Sequence, residues 1–328
     1  MRFIFCLLLT LIISSFAMMS VSDAAKPNKK YASLVIHAET GSIISQRYAT
    51  KSLHPASLTK MMTMLLTFEA LDKGKIKKNT RIRISSRAAS MVPSKLGLKA
   101  GSTIRVEDAI KSLATKSAND VAVALAEHLA GSESRFAVAM TARARTIGMK
   151  STRFRNASGL HHPSQVSTAR DMAKLARYIL KRYPHHYKYF STRTFTYQGK
   201  TYKNHNKLLK TYPGADGFKT GYINASGFNL VASANQNGHR LIGVVFGGRS
   251  GKTRNAHMEE LLNAGFKKVK MAKTIKQSPP PLPPMKPTYG VAQVKVKVKT
   301  KAIAPDKTES YASLTALEND RKKKIQRR

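Results

Sequence analysis

His54-Pro-Ala-Ser-Leu-Thr-Lys-Met-Met-Thr-Met-Leu-Leu-Thr-Phe-Glu-Ala-Leu71 is the stretch on which the fold turns. From Ser57 onward it is almost wholly apolar, so as a helix it has no broad charged face to give to water. It must be buried. The rest of the chain therefore has to wrap a core around it, and the few polar residues it carries, Ser57 and Lys60 among them, need a reason to be inside.

The flanking sequence supplies both kinds of wrapping. Upstream, Tyr31 to Ala49 holds two strand-like runs separated by Glu39-Thr-Gly41, which predicts a β-hairpin. Downstream, helical patterns cover Val106 to Leu113, Asp120 to Ala130, Ser132 to Ile147 and, behind a Ser167-Thr168 cap, Ala169 to Leu180. Strands return after Phe195. Thr196 to Lys200 is expected to pair with Thr201 to Lys203 through Gly199, followed by Gly217 to Tyr222, Phe228 to Ala234 and Leu241 to Phe246, with a last helix from His257 to Ala264. Strands, many helices, strands and a helix make an α+β order whose sheet draws on both ends of the sequence.

The ends of the 328-residue chain differ from this middle. Met1-Arg2, the apolar run from Phe3 and the small residues up to Ala25 have the shape of a secretory signal peptide, giving a first segment 1–25. Cys6, the only cysteine, lies inside it, so cysteine nucleophiles, disulfides and cysteine-zinc sites are excluded from the mature chain. Segment 26–266 is large enough for one catalytic-size domain. Segment 267–328 carries 17 basic and 4 acidic residues around a proline cluster and reads as a disordered tail, with Val294 to Val298 its only strand-like alternation. Over the whole chain 58 Lys and Arg face 17 Asp and Glu, for a net charge of +41, which points to anionic partners. Export predicts an envelope location, with the tail peripheral on an anionic membrane or envelope surface.

Three short motifs fall on this layout: Ser57-x-x-Lys60 opens the buried helix, Ser117-Ala118-Asn119 sits at a break between helices, and Lys219-Thr220-Gly221 lies in a strand. Singly, each reads as a helix cap or a solvated charge. Together, in this order, they match the S-x-x-K, S-x-N and K-T-G set of the penicillin-recognising serine enzymes. A serine near a helix N-terminus places its hydroxyl where a developing oxyanion is favoured, and Lys60 lies one turn on. An ammonium cannot accept a proton, so Lys60 serves as a base only if burial and a second cation, Lys219, lower its pKa. Ser117 can relay protons to the leaving amine, Asn119 can hold Lys60 and a substrate carbonyl, Thr220 offers a hydroxyl for a carboxylate, and Gly221 clears space for the acyl chain.

The surrounding residues narrow the resemblance. HPASLTKMMT from His54, SANDVAVALAEHLAGS from Ser117, FRNASGLHH from Phe154, STARDMAKLAR from Ser167, NHNKLL from Asn204 and GADGFKTGYINASGFNLVASA from Gly214 resemble the D-alanyl-D-alanine carboxypeptidases, the low-molecular-mass penicillin-binding proteins of serine peptidase family S11. The resemblance implies a three-layer α/β/α sandwich with a mainly antiparallel sheet plus an all-α subdomain, the active site at their junction. It implies an exported bacterial enzyme that trims peptidoglycan stem peptides and is inhibited by β-lactams. It also implies oxyanion donors at the backbone N–H groups of Ser57 and Tyr222, and a carboxylate-binding role for Arg254. Two positions depart from the pattern: Tyr222 stands where many relatives have His, and His205 where some have Arg.

A DD-endopeptidase or β-lactamase on the same fold is the nearest alternative, and a non-enzymatic binder of anionic envelope polymers the distant one. Against β-lactamase chemistry, Arg135 to Met258 contains no glutamate and only Asp171 and Asp216 as acids; Asp171 reads as a helix-dipole partner and Asp216 as a turn acid. No nucleic-acid motif occurs and an exported chain is removed from the genome. No cofactor or metal is expected, since H-E-x-x-H is absent and the paired histidines His161-His162 and His185-His186 read as diverging surface or packing residues.

Overall fold

The computed structural model describes residues 28–271; the signal-like segment and the tail, including Val294 to Val298, lie outside the described residues. The strands are β1 (Ala32–His37), β2 (Ile43–Arg47), β3 (Arg81–Arg83), β4 (Thr103–Arg105), β5 (Thr194–Tyr197), β6 (Lys200–Lys203), β7 (Ala215–Ile223), β8 (Gly227–Gln236) and β9 (His239–Gly248). The helices are α1 (Lys60–Asp72), α2 (Ser86–Ala89), α3 (Val106–Ala114), α4 (Asn119–Ala130), α5 (Glu133–Thr146), α6 (Ala169–Arg182), α7 (Pro184–Tyr187), α8 (Leu208–Thr211) and α9 (Gly251–Met271).

Five strands form an antiparallel sheet in the order β2-β1-β9-β8-β7, so the expected hairpin joins the C-terminal strands through the β1 to β9 pairing. Because side chains alternate along a strand, the sheet has two apolar faces. Val35, Leu230, Ala232 and Val245 pack with Met258, Leu262 and Phe266 of α9. Leu34, Ile36, Val244 and Phe246 join the core of the remaining helices. The result is the α+β order that the sequence pattern implied, in the three layers that the resemblance implied.

The apolar helix is buried as its composition requires: Leu58, Met61, Met62, Met64, Leu65 and Phe68 are fully enclosed. Each such side chain contributes about 1.5–3 kcal/mol relative to exposure. The polar residues on α1 are partnered. Thr63 donates to the Ala157 carbonyl at 2.7 Å, and Glu69 pairs with Arg143 at 2.6 Å, whose guanidinium also reaches the Tyr178 hydroxyl. Burial raises the Glu69 carboxyl despite that arginine, and the pair fastens α1 to α5 and α6.

Several boundaries differ from the sequence expectations. Ser57 lies in a 3₁₀ turn, Ala56–Thr59, that precedes α1. Lys200 belongs to β6, because the hairpin turns at Gln198-Gly199. The last helix starts at Gly251, placing Arg254 in its first turn, and continues past Phe266 to bury Val269. The β3–β4 ribbon gives no strand signal in the sequence because each strand shows only one apolar residue, Ile82 or Ile104.

Gly159 fixes the loop between α5 and α6 against the serine turn. It has φ +86°, and a Cβ there would stand 2.0 Å from the Ala56 carbonyl oxygen, with backbone on both sides and nothing flexible to yield. Gly159→Ala is therefore expected to destabilise the chain by about 2 kcal/mol or more, measured as a lower urea midpoint with an unchanged slope. A wild-type midpoint would contradict this packing.

Candidate active site

Seven segments meet at one cleft of about 950 Å³. Its lining includes Ser57, Ser117, Asn119, His205, Thr220, Gly221, Tyr222 and Arg254, all singled out from the sequence, while Lys60 and Lys219 are buried behind its wall. Pro93 and Ser94 close one side, and Lys252, Asn255 and Glu259 of α9 another.

Lys60 is the centre of the arrangement. Its Nζ lies 3.1 Å from Ser57 Oγ, 2.8 Å from Asn119 Oδ1 and 2.5 Å from the Ser158 carbonyl oxygen. Of these three oxygens only the hydroxyl can also donate. A neutral amine has two N–H groups and one lone pair, so it can donate to Asn119 and Ser158 while accepting the Ser57 proton. Burial, and then the charge of Lys219, hold Lys60 well below the usual lysine range, with Asp120 and Glu133 opposing. Lys219, buried and donating to the Thr220 carbonyl at 2.9 Å, is pushed down to about 7 by burial and by Arg254. The cations thus form a graded series: Arg254 depresses Lys219, and Lys219 depresses Lys60.

Backbone conformation aims the other groups. Ala56 (φ 49°) and Ser117 (φ 61°) occupy the left-handed region, which non-glycine residues adopt only when their surroundings hold them there. Ser117 is buried, borders the cleft, and its Oγ makes no hydrogen bond among the described residues. Leaving a buried hydroxyl unpaired costs about 1–3 kcal/mol, a cost removed when a ligand group reaches it. No hydrogen bond joins Ser117 to either lysine here.

Asn119 has a protein partner besides Lys60. Its Oδ1 accepts from Lys60, but its amide nitrogen already donates to the Val92 carbonyl, leaving one N–H for a substrate. Gly221 has a packing reason to be glycine. A Cβ would lie 3.0 Å from both the Pro55 oxygen and the Ser57 nitrogen, so the bare backbone lets β7 run against the serine turn.

Arg254 is not the solvated residue that a position before a surface helix allows. It is 5% exposed, its Nη1 donates to the Asn229 carbonyl, and its other nitrogens reach Asn255 Oδ1. Among the described residues no carboxylate pairs with it. Burial pushes it down to about 10. His205 stands at the cleft rim, where partial burial against the wall, then Lys219, Lys116, Lys60 and Arg254, push its imidazole down to about 4. Tyr222 is half exposed, its ring against Phe228 and its hydroxyl donating to Asn224.

Two positioning residues lie outside the motifs. Asn229, fully buried on β8, donates to the His54 and Pro55 carbonyls and accepts from Gly247 N–H, clamping the serine turn to the sheet. Asp120 accepts from the N–H groups of Leu96, Gly97 and Leu98 and so holds the loop carrying Pro93 and Ser94. The sequence gives no sign of the first, and of the second only the acid directly after Ser-Ala-Asn. Asp171 and Asp216 stay outside the cleft lining: Asp171 binds Ser151 N–H and Thr152, and Asp216 binds Tyr187 and Arg240.

Comparison with known proteins gives the family. The sequence model of the family described as D-alanyl-D-alanine carboxypeptidase matches residues 20–250. The chain belongs to that family. It is 37% identical over 335 residues to D-alanyl-D-alanine carboxypeptidase DacF of Bacillus subtilis strain 168, covering 97% of this chain and 82% of DacF. DacA of Escherichia coli K12 is 35% identical over 241 residues, which span 71% of this chain but only 60% of DacA. Among solved structures, penicillin-binding protein D2 from Listeria monocytogenes in its cefotaxime-bound form is 30% identical with a TM-score of 0.66, covering 72% of this chain and 96% of that one. The matched stretch spans Ser57, Lys60, Ser117, Asn119 and Lys219.

The depressed lysines have a measurable thermodynamic consequence. Lys219 titrates near 7 when folded and at 10.5 when solvated in the unfolded chain, so between these values the unfolded chain holds a proton that the folded chain has released. Stability contributed by this group therefore rises with pH across that window. From pH 7 to 9 the wild type should gain roughly 2 kcal/mol relative to Lys219→Met, read from urea unfolding at each pH. Parallel profiles would refute the depressed value.

Proposed function

We propose that this chain removes the terminal D-alanine from peptidoglycan stem pentapeptides through an acyl-Ser57 intermediate. The supporting observation is the Lys60 amine held between Ser57 Oγ and two acceptors that cannot donate. Neutral Lys60 takes the Ser57 proton as Oγ attacks the penultimate D-alanine carbonyl. The backbone N–H groups of Ser57 and Tyr222 receive the oxyanion. As the C–N bond breaks, the proton passes through the unpaired Ser117 hydroxyl to the departing amine, and water then releases the acyl group.

The substrate's free carboxylate is assigned to Arg254, with Thr220 and Lys219 beside it. A buried guanidinium without an anion favours a ligand that brings one, which supports carboxypeptidase over endopeptidase action. His205, neutral at the rim, and Tyr222 border the same cleft and are assigned to substrate contact.

β-Lactams, which the Listeria protein binds, are proposed to acylate Ser57 and to leave slowly. Glu259, one residue beyond the Arg135 to Met258 stretch, does line the cleft, but no hydrogen bond among the described residues joins it to Ser57 or Lys60. Incubation with a labelled penicillin should place the adduct on the Ser57 peptide, with none on Ser57→Ala and acylation lowered about 10²-fold to 10⁴-fold in Lys60→Ala. Rapid multiple turnover of penicillin, or labelling elsewhere, would overturn the assignment, and release in Glu259→Gln should match the wild type.

Export and attachment of the basic tail to an anionic envelope surface complete the reading. A chain ending at Met271 should keep its rate on a soluble pentapeptide yet bind anionic vesicles less well at low salt; equal binding by both would remove the tail's role.

A further inference from the structure

At the end of α1 remote from Ser57, three metal-ligating side chains converge. Asp72 closes the helix, and His185 and His186 come from α7. The adjacent histidines do not diverge, as adjacent residues on most backbones do. His186 Nε2 lies 2.7 Å from Asp72 Oδ1, and His185 Nε2 lies 3.0 Å and 3.1 Å from its two oxygens. One ligand atom from each residue falls within 4.8 Å of the others.

One imidazole would satisfy the carboxylate as a hydrogen-bond partner. Here two neighbours present the same nitrogen to it, their ring centroids 4.2 Å apart. A tetrahedral cation with bonds of about 2.0–2.1 Å to imidazole and carboxylate holds its donor atoms about 3.4 Å apart, so the His–Asp distances would open by a few tenths of an ångström, and the two imidazole nitrogens, within 4.8 Å of each other, would settle at that spacing. The His186 ring is stacked on Phe68 at 4.8 Å and 14°, which fixes its direction without using a ring nitrogen. His185 and Asp72 side chains are 55% and 32% exposed, leaving the outer coordination position open to water.

We propose that Asp72, His185 and His186 form a binding site for a zinc-class divalent cation that pins the nucleophile helix to α7. This would be a structural site. The pin would reach both sides of the catalytic cleft, because Tyr187 of α7 also holds Asp216 on β7, the strand that carries Lys219. Lys78 lies close enough to oppose charge at His186, so a modest affinity is expected.

The test uses the purified full chain, stripped with a chelator and titrated with Zn²⁺ by calorimetry, with Co²⁺ as a spectroscopic stand-in. One Zn²⁺ per chain, a raised melting temperature and a tetrahedral Co²⁺ spectrum are expected. His185→Ala, an exposed position whose loss leaves the apo fold intact, should weaken Zn²⁺ by about tenfold or more, whereas His37→Ala, which breaks the separate His37–His239 contact, should leave it unchanged. No uptake by the wild type, or equal affinity in His185→Ala, would overturn the site.

Discussion

Everything at the cleft depends on one fully buried amine. Lys60 has no exposed surface, three oxygens around its nitrogen and a second buried lysine as its electrostatic neighbour. Enclosing a charged ammonium so completely beside a like charge is costly, and the cheapest relief is to lose the proton. The same enclosure that makes the amine neutral leaves its lone pair facing a serine hydroxyl. Burial, usually the enemy of polar groups, here produces the base.

Holding that geometry takes contributions from the whole domain. Asn229 ties the carbonyls of His54 and Pro55 to β8, Gly221 lets β7 run against the serine turn, and Gly159 lets the loop bearing the Ser158 carbonyl close on Ala56. On the other side, Asp120 and Asn119 fix the loop of Pro93 and Ser94. Sheet, helices and loops each supply one contact, so no single element contains the site. The core around α1 keeps these contacts in register, since packed side chains resist small displacements.

Much of this is legible in the sequence for definite reasons. The apolar run from Ser57 can only be a buried helix, and the order of strands and helices implies a sheet built from both chain ends, as the β1–β9 pairing shows. The Ser-x-x-Lys, Ser-x-Asn and Lys-Thr-Gly motifs name residues that the fold brings to one cleft. What stays hidden depends on contacts between distant segments. Asn229 looks like any strand polar residue until it meets His54 and Pro55, and Arg254, singled out by the resemblance alone, is buried only because α9 turns it inward. His185 and His186 read as diverging because neighbours on most backbones point apart; the short α7, packed on Phe68 and Asp72, brings both to one oxygen. Glu259 lies just past the acid-poor stretch that ends at Met258, and only the turn of α9 carries it to the cleft.

The claim that burial and a neighbouring cation make Lys60 a base is tested most directly by watching its amine titrate. With ¹³C-ε-labelled lysine and Lys60→Met to assign the signal, nuclear magnetic resonance reports the protonation of that one side chain in the free protein. The account predicts a Lys60 signal already neutral at pH values where the surface lysines remain fully charged. A Lys60 that titrates with them, near the ordinary lysine value, would contradict it.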